Sequence, residues 1–225
     1  MTEVNRSALI GLFRLFVSLT VLVFLPAWTL HYWQGWVCLL VFFTSALGIT
    51  VYLATNNSAL LARRIKAGAK AETEKTQKVI QFFAAIAFVS LFVLSATDHR
   101  FGWSTVPLVV EIAGDLLIAL GFGFVFWVFK VNSFTSGVIE VAPDQQLITS
   151  GPYAIVRHPM YLGSLVMLMG IPLSLDSFWG LLVIIFMTGV IVLRLLDEER
   201  FLARNLAGYC AYMERVHYRL APYIW

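Results

Sequence analysis

Apolar runs about as long as a bilayer is thick alternate with short polar connections along this chain. Residues 9–30 are apolar apart from Arg14 and a few hydroxyls, enough at about 1.5 Å per residue to cross about 30 Å of hydrocarbon. This core is longer than that of a signal peptide. It runs into Pro26-Ala27-Trp28 and then Tyr32, Trp33 and Trp36, so a retained first span is expected, its aromatics marking the far interface. Further spans are expected over residues 36–54, 79–97, 106–129, 158–174 and 179–196. The fifth of the six is short.

The polar stretches carry their own patterns. Residues 56–78 hold Arg63, Arg64, Lys66, Lys70, Lys75 and Lys78, opposed by Glu72 and Glu74. Leu60, Leu61 and Ile65 stand at helical spacing beside this charge, which is read either as a short helix resting on the lipid surface or as a solvated basic loop near anionic lipid. Asp98-His99-Arg100 reads as a short polar turn. Glu111 and Asp115 lie one helical turn apart inside the fourth span; they form an interhelical hydrogen bond or serve a proton or cation. Gly121 and Gly123 point to close helix packing rather than to a dinucleotide loop, since no strand precedes them. After the sixth span, Leu202, Leu206, Tyr209, Met213, Val216 and Leu220 recur at steps of four and three. That is an amphipathic helical tail interrupted at Gly208, the expected C-cap.

Composition agrees with the pattern. The chain of 225 residues is 60% hydrophobic and 13% charged, with mean hydropathy +0.81, whereas a soluble domain is about half apolar and a quarter charged. The fold class expected is therefore all-α: a polytopic membrane helical bundle of about six transmembrane helices with a C-terminal amphipathic helical tail. With six spans, fifteen of the sixteen Lys plus Arg fall on one side and only Arg100 on the other. The positive-inside rule makes the richer side cytoplasmic, with both termini. The basic loops are explained by topology, so no nucleic-acid partner is expected. Cys38 and Cys210 match no disulfide or metal spacing and read as small apolar fillers, and His31, His99 and His217 are scattered, so no metal is expected.

Chemistry concentrates in Gly151-Pro152-Tyr153-Ala154-Ile155-Val156-Arg157-His158-Pro159-Met160-Tyr161-Leu162-Gly163. Proline's fixed φ and missing N–H suit the first position of a helix. Pro159 is thus expected to open a span with Arg157 and His158 at its mouth, where unpaired N–H groups favour an anion. The landmark stretch, then Arg194-Leu195-Leu196-Asp197-Glu198-Glu199-Arg200-Phe201-Leu202, then Gly208-Tyr209-Cys210-Ala211-Tyr212 and Arg219-Leu220-Ala221-Pro222 follow one order. Together these elements resemble the isoprenylcysteine carboxyl methyltransferase family, in its short bacterial form. The likeness covers about the last 80 residues; the first 130 match only in general character.

The resemblance implies S-adenosylmethionine as methyl donor, held without a Rossmann domain. It implies one domain over residues 1–225, with a four-span part at 1–130 and a cofactor-binding and catalytic part at 131–225. By motif position the cofactor residues are Gln145, Gln146, Leu147, Ile148, Tyr153, His158, Pro159, Met160, Tyr161 and Glu198, and Arg194 is associated with the acceptor. Gln145 stands where the family often has histidine, and an amide cannot titrate. From the residues themselves, Arg157 or His158 suits the donor's carboxylate and Glu198 its ammonium or ribose. Arg194 can grip an acceptor carboxylate, which needs no base, while an amine or phenol would call on Glu198 or Glu199. Catalytic candidates are therefore Arg194, Glu198, Glu199 and Arg157. Plainer roles compete: an Arg194–Glu198 surface ion pair, a capping His158, a snorkelling Arg157, and Tyr209 and Tyr212 as interfacial anchors.

The function expected is carboxyl O-methylation of a lipidated or lipophilic acceptor arriving from the bilayer, at a cytoplasmic site in a bacterial inner membrane. Three rivals stand beside it: phospholipid N-methylation, an NADPH-dependent membrane reductase of the sterol-reductase type, and a non-enzymatic protein that kept the fold.

Overall fold

The computed structural model describes residues 2–72, 74–142 and 145–225. The described residues form eight α-helices: α1 (Glu3–Ala27), α2 (Trp33–Asn56), α3 (Ser58–Ile65), α4 (Lys75–Phe101), α5 (Leu108–Val131), α6 (Pro159–Ser174), α7 (Gly180–Asn205) and α8 (Tyr209–Arg215). One 3-10 turn, Gly151–Ala154, precedes α6. Five helices, α1, α2, α4, α5 and α7, are long and apolar enough to cross a membrane. At 16 residues α6 is shorter, about 24 Å. Large apolar side chains point outward all round the bundle, among them Phe13, Leu25, Val109, Leu120 and Ile185. An outer surface of that kind belongs in lipid, and the protein is an integral membrane protein.

The core runs through Leu19, Val23, Phe42, Leu91, Phe92, Ile118, Ile171 and Ile184. Its tightest seam joins α5 to α6, where small residues let antiparallel backbones meet. A Cβ on Gly121 would lie 2.5 Å from the Met167 nitrogen and 2.7 Å from the Gly163 oxygen; one on Gly114 would lie 2.5 Å from the Ser174 nitrogen. Gly123, expected to serve the same purpose, has nothing within 4 Å of its would-be Cβ and faces outward. Gly121→Ala is therefore expected to cost about 1–3 kcal/mol by overpacking. Gly123→Ala should be neutral or mildly stabilising by helix propensity. Thermal unfolding of the two variants in detergent checks the contrast.

At one end of the bundle the structure departs from the sequence pattern. Asp98, His99 and Arg100 are not a turn but the last turn of α4, closed by Gly102 at φ 61. Asp98 is buried, and it accepts from the Ser104 N–H at 2.8 Å and from the hydroxyls of Ser104 and Ser177, both at 2.6 Å. Tyr32 is no interfacial anchor: it is buried, stacks on His99 at 3.9 Å between ring centres, and donates to the Leu175 carbonyl at 2.5 Å. Glu111 accepts from Gln34 at 3.2 Å, and Asp115 accepts from Ser174. Both acids thus make interhelical hydrogen bonds. Cys38 is buried as expected, whereas Cys210 is exposed.

At the other end all the longer polar segments meet. The basic stretch contains a short helix, α3, rather than a solvated loop. Its Leu60 and Leu61 are buried against Leu53 and Phe129, and Arg63 and Arg64 donate to the carbonyls of Ser133 and Ser136 at 2.7 and 2.5 Å. An isolated bridge pairs Ala67 with Gly137. The segments before α4 and after α5 are so fastened together.

Candidate active site

The short sixth helix makes a recess. Tyr161, in its first turn, lies level with Arg194 of α7, and α7 continues to Asn205, about three turns further. Pro159 begins α6 because its φ is pre-set and it needs no N–H partner, while His158 stands before it at φ −122, ψ 60, outside the helical region. The tail crosses this mouth: the N–H groups of Arg157 and His158 donate to the carbonyls of Tyr218 and Arg219, both at 2.9 Å. Helix α7 ends at Asn205, so Gly208 is not its C-cap; at φ 81 it turns the chain into α8 instead.

The recess, the tail and residues from 132–140 and 145–148 line a cavity of about 110 Å³. Gln145, Gln146, Leu147, Ile148, Tyr153, His158, Pro159, Met160, Tyr161 and Glu198 all line it, and so do Arg157 and Arg194. The residues singled out from two distant stretches of sequence share one hollow. Glu199 is not part of its lining.

Electrostatics divide these residues into two networks. In the first, the Tyr161 hydroxyl donates to Glu198 Oε2 at 2.5 Å and accepts from Arg194 Nε at 3.0 Å. Arg194 and Glu198 therefore do not form the expected i, i+4 ion pair; a tyrosine stands between them. The rest of the guanidinium is engaged as well, by Gln77 Oε1 at 2.9 Å, the Gly137 carbonyl at 3.3 Å and the buried carboxylate of Glu72 at 2.8 Å. The other Glu72 oxygen accepts from the Ile139 N–H at 3.2 Å. Glu72, one of two acids among the lysines of this stretch, ties the segments before α4 and after α5 to α7 through Arg194.

The second network centres on Glu199, whose side chain is 8% exposed. One oxygen lies 2.7 Å from Arg157 Nε and 3.2 Å from His158 Nε2, and the other 3.0 Å from Arg219 Nε. Arg157 also donates to the Met213 and Val216 carbonyls at 3.3 and 3.2 Å, so it is tied into the tail rather than snorkelling. Both Glu199 oxygens are held by these side chains and the residue is not in the cavity lining, an arrangement that ties the tail to the mouth of α6.

Several cavity residues carried little or no signal in the sequence. Tyr209 and Tyr212 are buried, not interfacial; both line the cavity. Tyr212 donates to the Tyr153 carbonyl at 2.8 Å, and the Tyr153 hydroxyl accepts from Asn132 at 3.0 Å. Burial pushes the Tyr153 phenol up to about 12, so it stays neutral at any physiological pH. Thr135 also lines the wall. Its hydroxyl and that of Tyr209 are buried without a hydrogen-bond partner among the described residues. Tyr209 and Tyr212 could have been found as the buried stripe of the tail; nothing in the pattern marks Asn132 or Thr135.

Fold and cavity together define a helical integral membrane protein with a recess at one end of its bundle. Residues 109–208 match the family model described as phospholipid methyltransferase. That stretch carries α5, the 132–158 segment, α6 and α7, hence most of the cavity wall. Over 90 residues the chain is also 33% identical to the Delta(14)-sterol reductase TM7SF2 of Mus musculus, a match covering 39% of this chain and 22% of that protein. The chain thus spans under a quarter of that relative's length.

Proposed function

We propose that the protein is an S-adenosylmethionine-dependent methyltransferase acting on a lipophilic acceptor that enters from the bilayer. The observation that carries this reading is the shared cavity. Residues at motif positions from the 145–148 segment, the mouth of α6 and the end of α7 converge on one space, and the match to phospholipid methyltransferases spans the same elements. The residues present fit the donor. Glu198 offers a carboxylate to an ammonium or to ribose hydroxyls, Leu147, Leu202 and Leu206 offer an apolar wall to a flat base, and two unpartnered hydroxyls await polar atoms. The donor, when bound, supplies an electrophilic methyl group on a sulfonium.

Everything else falls to the chain. Alignment of the two reactants alone lowers such a barrier by about 7–11 kcal/mol, and the recess keeps water from the path. The motif position of Arg194 suggests a grip on an acceptor carboxylate, yet four of its five N–H groups already face Glu72, Gln77, Gly137 and Tyr161, and a two-pronged grip would displace one of them. An uncharged amine meets no such obstacle, and Glu198 can take the proton that leaves its nitrogen as the new N–CH3 bond forms and the S–CH3 bond breaks. Lipid N-methylation is therefore favoured over carboxyl O-methylation. Membranes containing the protein, given methyl-labelled donor, should place base-stable label in an amine lipid; base-labile label would indicate an ester instead.

A second reading rests on the sterol-reductase match: a membrane reductase using NADPH. In that case the purified protein is stabilised by NADPH and not by S-adenosylhomocysteine, and no label is transferred. The donor side of the membrane is the cytosol on either reading, since the cavity lies at the end bearing almost all the lysines and arginines.

A further inference from the structure

Native proteins seldom leave a buried hydroxyl unpaired, because losing water without gaining a partner is costly. Here two such groups belong to residues that line one cavity. Thr135 is 7% exposed and Tyr209 4%; Thr135 Oγ1 and the Tyr209 hydroxyl have no partner among the described residues, and both residues line the recess. They come from opposite sources, the segment after α5 and the helix after α7; Tyr209 lies in the Gly208–Tyr212 element of the resemblance, but neither residue is among the cofactor residues that the resemblance implied.

We infer that Thr135 and Tyr209 are binding residues for the neutral, nucleoside part of the methyl donor. This rests on the methyltransferase reading. Charge matching decides which part: the donor's ammonium and carboxylate need ionic partners, since one neutral hydroxyl compensates a buried charge poorly. Glu198 and the cationic mouth of α6 supply those. Ribose hydroxyls and base nitrogens are neutral donors and acceptors, and a neutral hydroxyl suits them. Tyr209 packs in one cluster with Leu147, Leu202 and Leu206, an apolar surface against which a flat base can lie while the phenol meets its polar edge. Burial, with Glu198 and Glu199 nearby, pushes that phenol's pKa further up, so it remains a neutral donor and acceptor.

Thr135→Val and Tyr209→Phe remove each hydroxyl at nearly constant shape. Ligand-free thermal stability is expected to hold or rise, because an unsatisfied group is deleted. Affinity for S-adenosylhomocysteine, and for 5′-methylthioadenosine, which lacks the amino-acid end, is expected to fall roughly tenfold per hydroxyl. Thr135→Ser, which keeps the hydroxyl, should bind both probes like the parent. Unchanged affinities in both Thr135→Val and Tyr209→Phe, or a drop in ligand-free stability with affinities intact, would overturn the assignment while leaving the methyltransferase reading standing. A parent protein that ignores both probes and is stabilised by NADPH would overturn both.

Discussion

Replacing Glu199 with alanine is expected to lower the unfolding free energy by about 3–5 kcal/mol, the range for breaking a buried ion pair from one side. That is a large share of a typical total of about 5–15 kcal/mol. The cause is what remains: Arg157, 8% exposed, would keep its charge with only the Met213 and Val216 carbonyls to face it. Arg219 and His158 would lose the same partner, and the tail would be released from the mouth of α6. Thermal unfolding in detergent or nanodiscs measures the effect. A double variant, Arg157→Met with Glu199→Leu, should lose far less than Glu199→Ala, because neither charge is then left alone. A small shift in Glu199→Ala would mean that the cluster of Glu199 with Arg157, His158 and Arg219 does not hold the tail.

Glu198→Gln should leave the fold intact and disable turnover. The amide preserves size and still accepts from the Tyr161 hydroxyl, now 2.5 Å away, but it cannot take a proton. General-base assistance contributes about 10²–10⁴-fold, and kcat for an amine acceptor is expected to fall by that factor. Affinity for S-adenosylhomocysteine should change less, since an amide oxygen can still accept a hydrogen bond from the ligand's ammonium. Initial rates with methyl-labelled donor, beside binding measured on the same preparation, separate the two effects. A kcat within threefold of the parent would remove Glu198 as the proton acceptor and return the acceptor question to a carboxylate, which needs none.

Much of this architecture follows from hydropathy alone. Each apolar run must be a helix in lipid, because no water is there to satisfy open backbone groups, so the spans are readable one at a time. Pro159 opens a helix for reasons local to its own ring, and the motif order at residues 151–163 and 194–202 was enough to name ten residues that line one cavity. What local pattern cannot carry is who meets whom. Arg194 and Glu198 stand at ideal spacing for a pair, yet Tyr161 comes between them and Glu72, remote in sequence, takes the guanidinium. Glu198 and Glu199 are neighbours of identical chemistry, and only the 100° turn between them in α7 sends one to the cavity and the other to Arg157, His158 and Arg219. Tyr32, Tyr209 and Tyr212 look like interfacial aromatics until packing buries them. Composition and period determine which segments enter the membrane, since transfer free energy is a sum over single residues. The pairing of charges and the exposure of one face of a helix are properties of neighbours brought together, and those were decided only when the bundle closed.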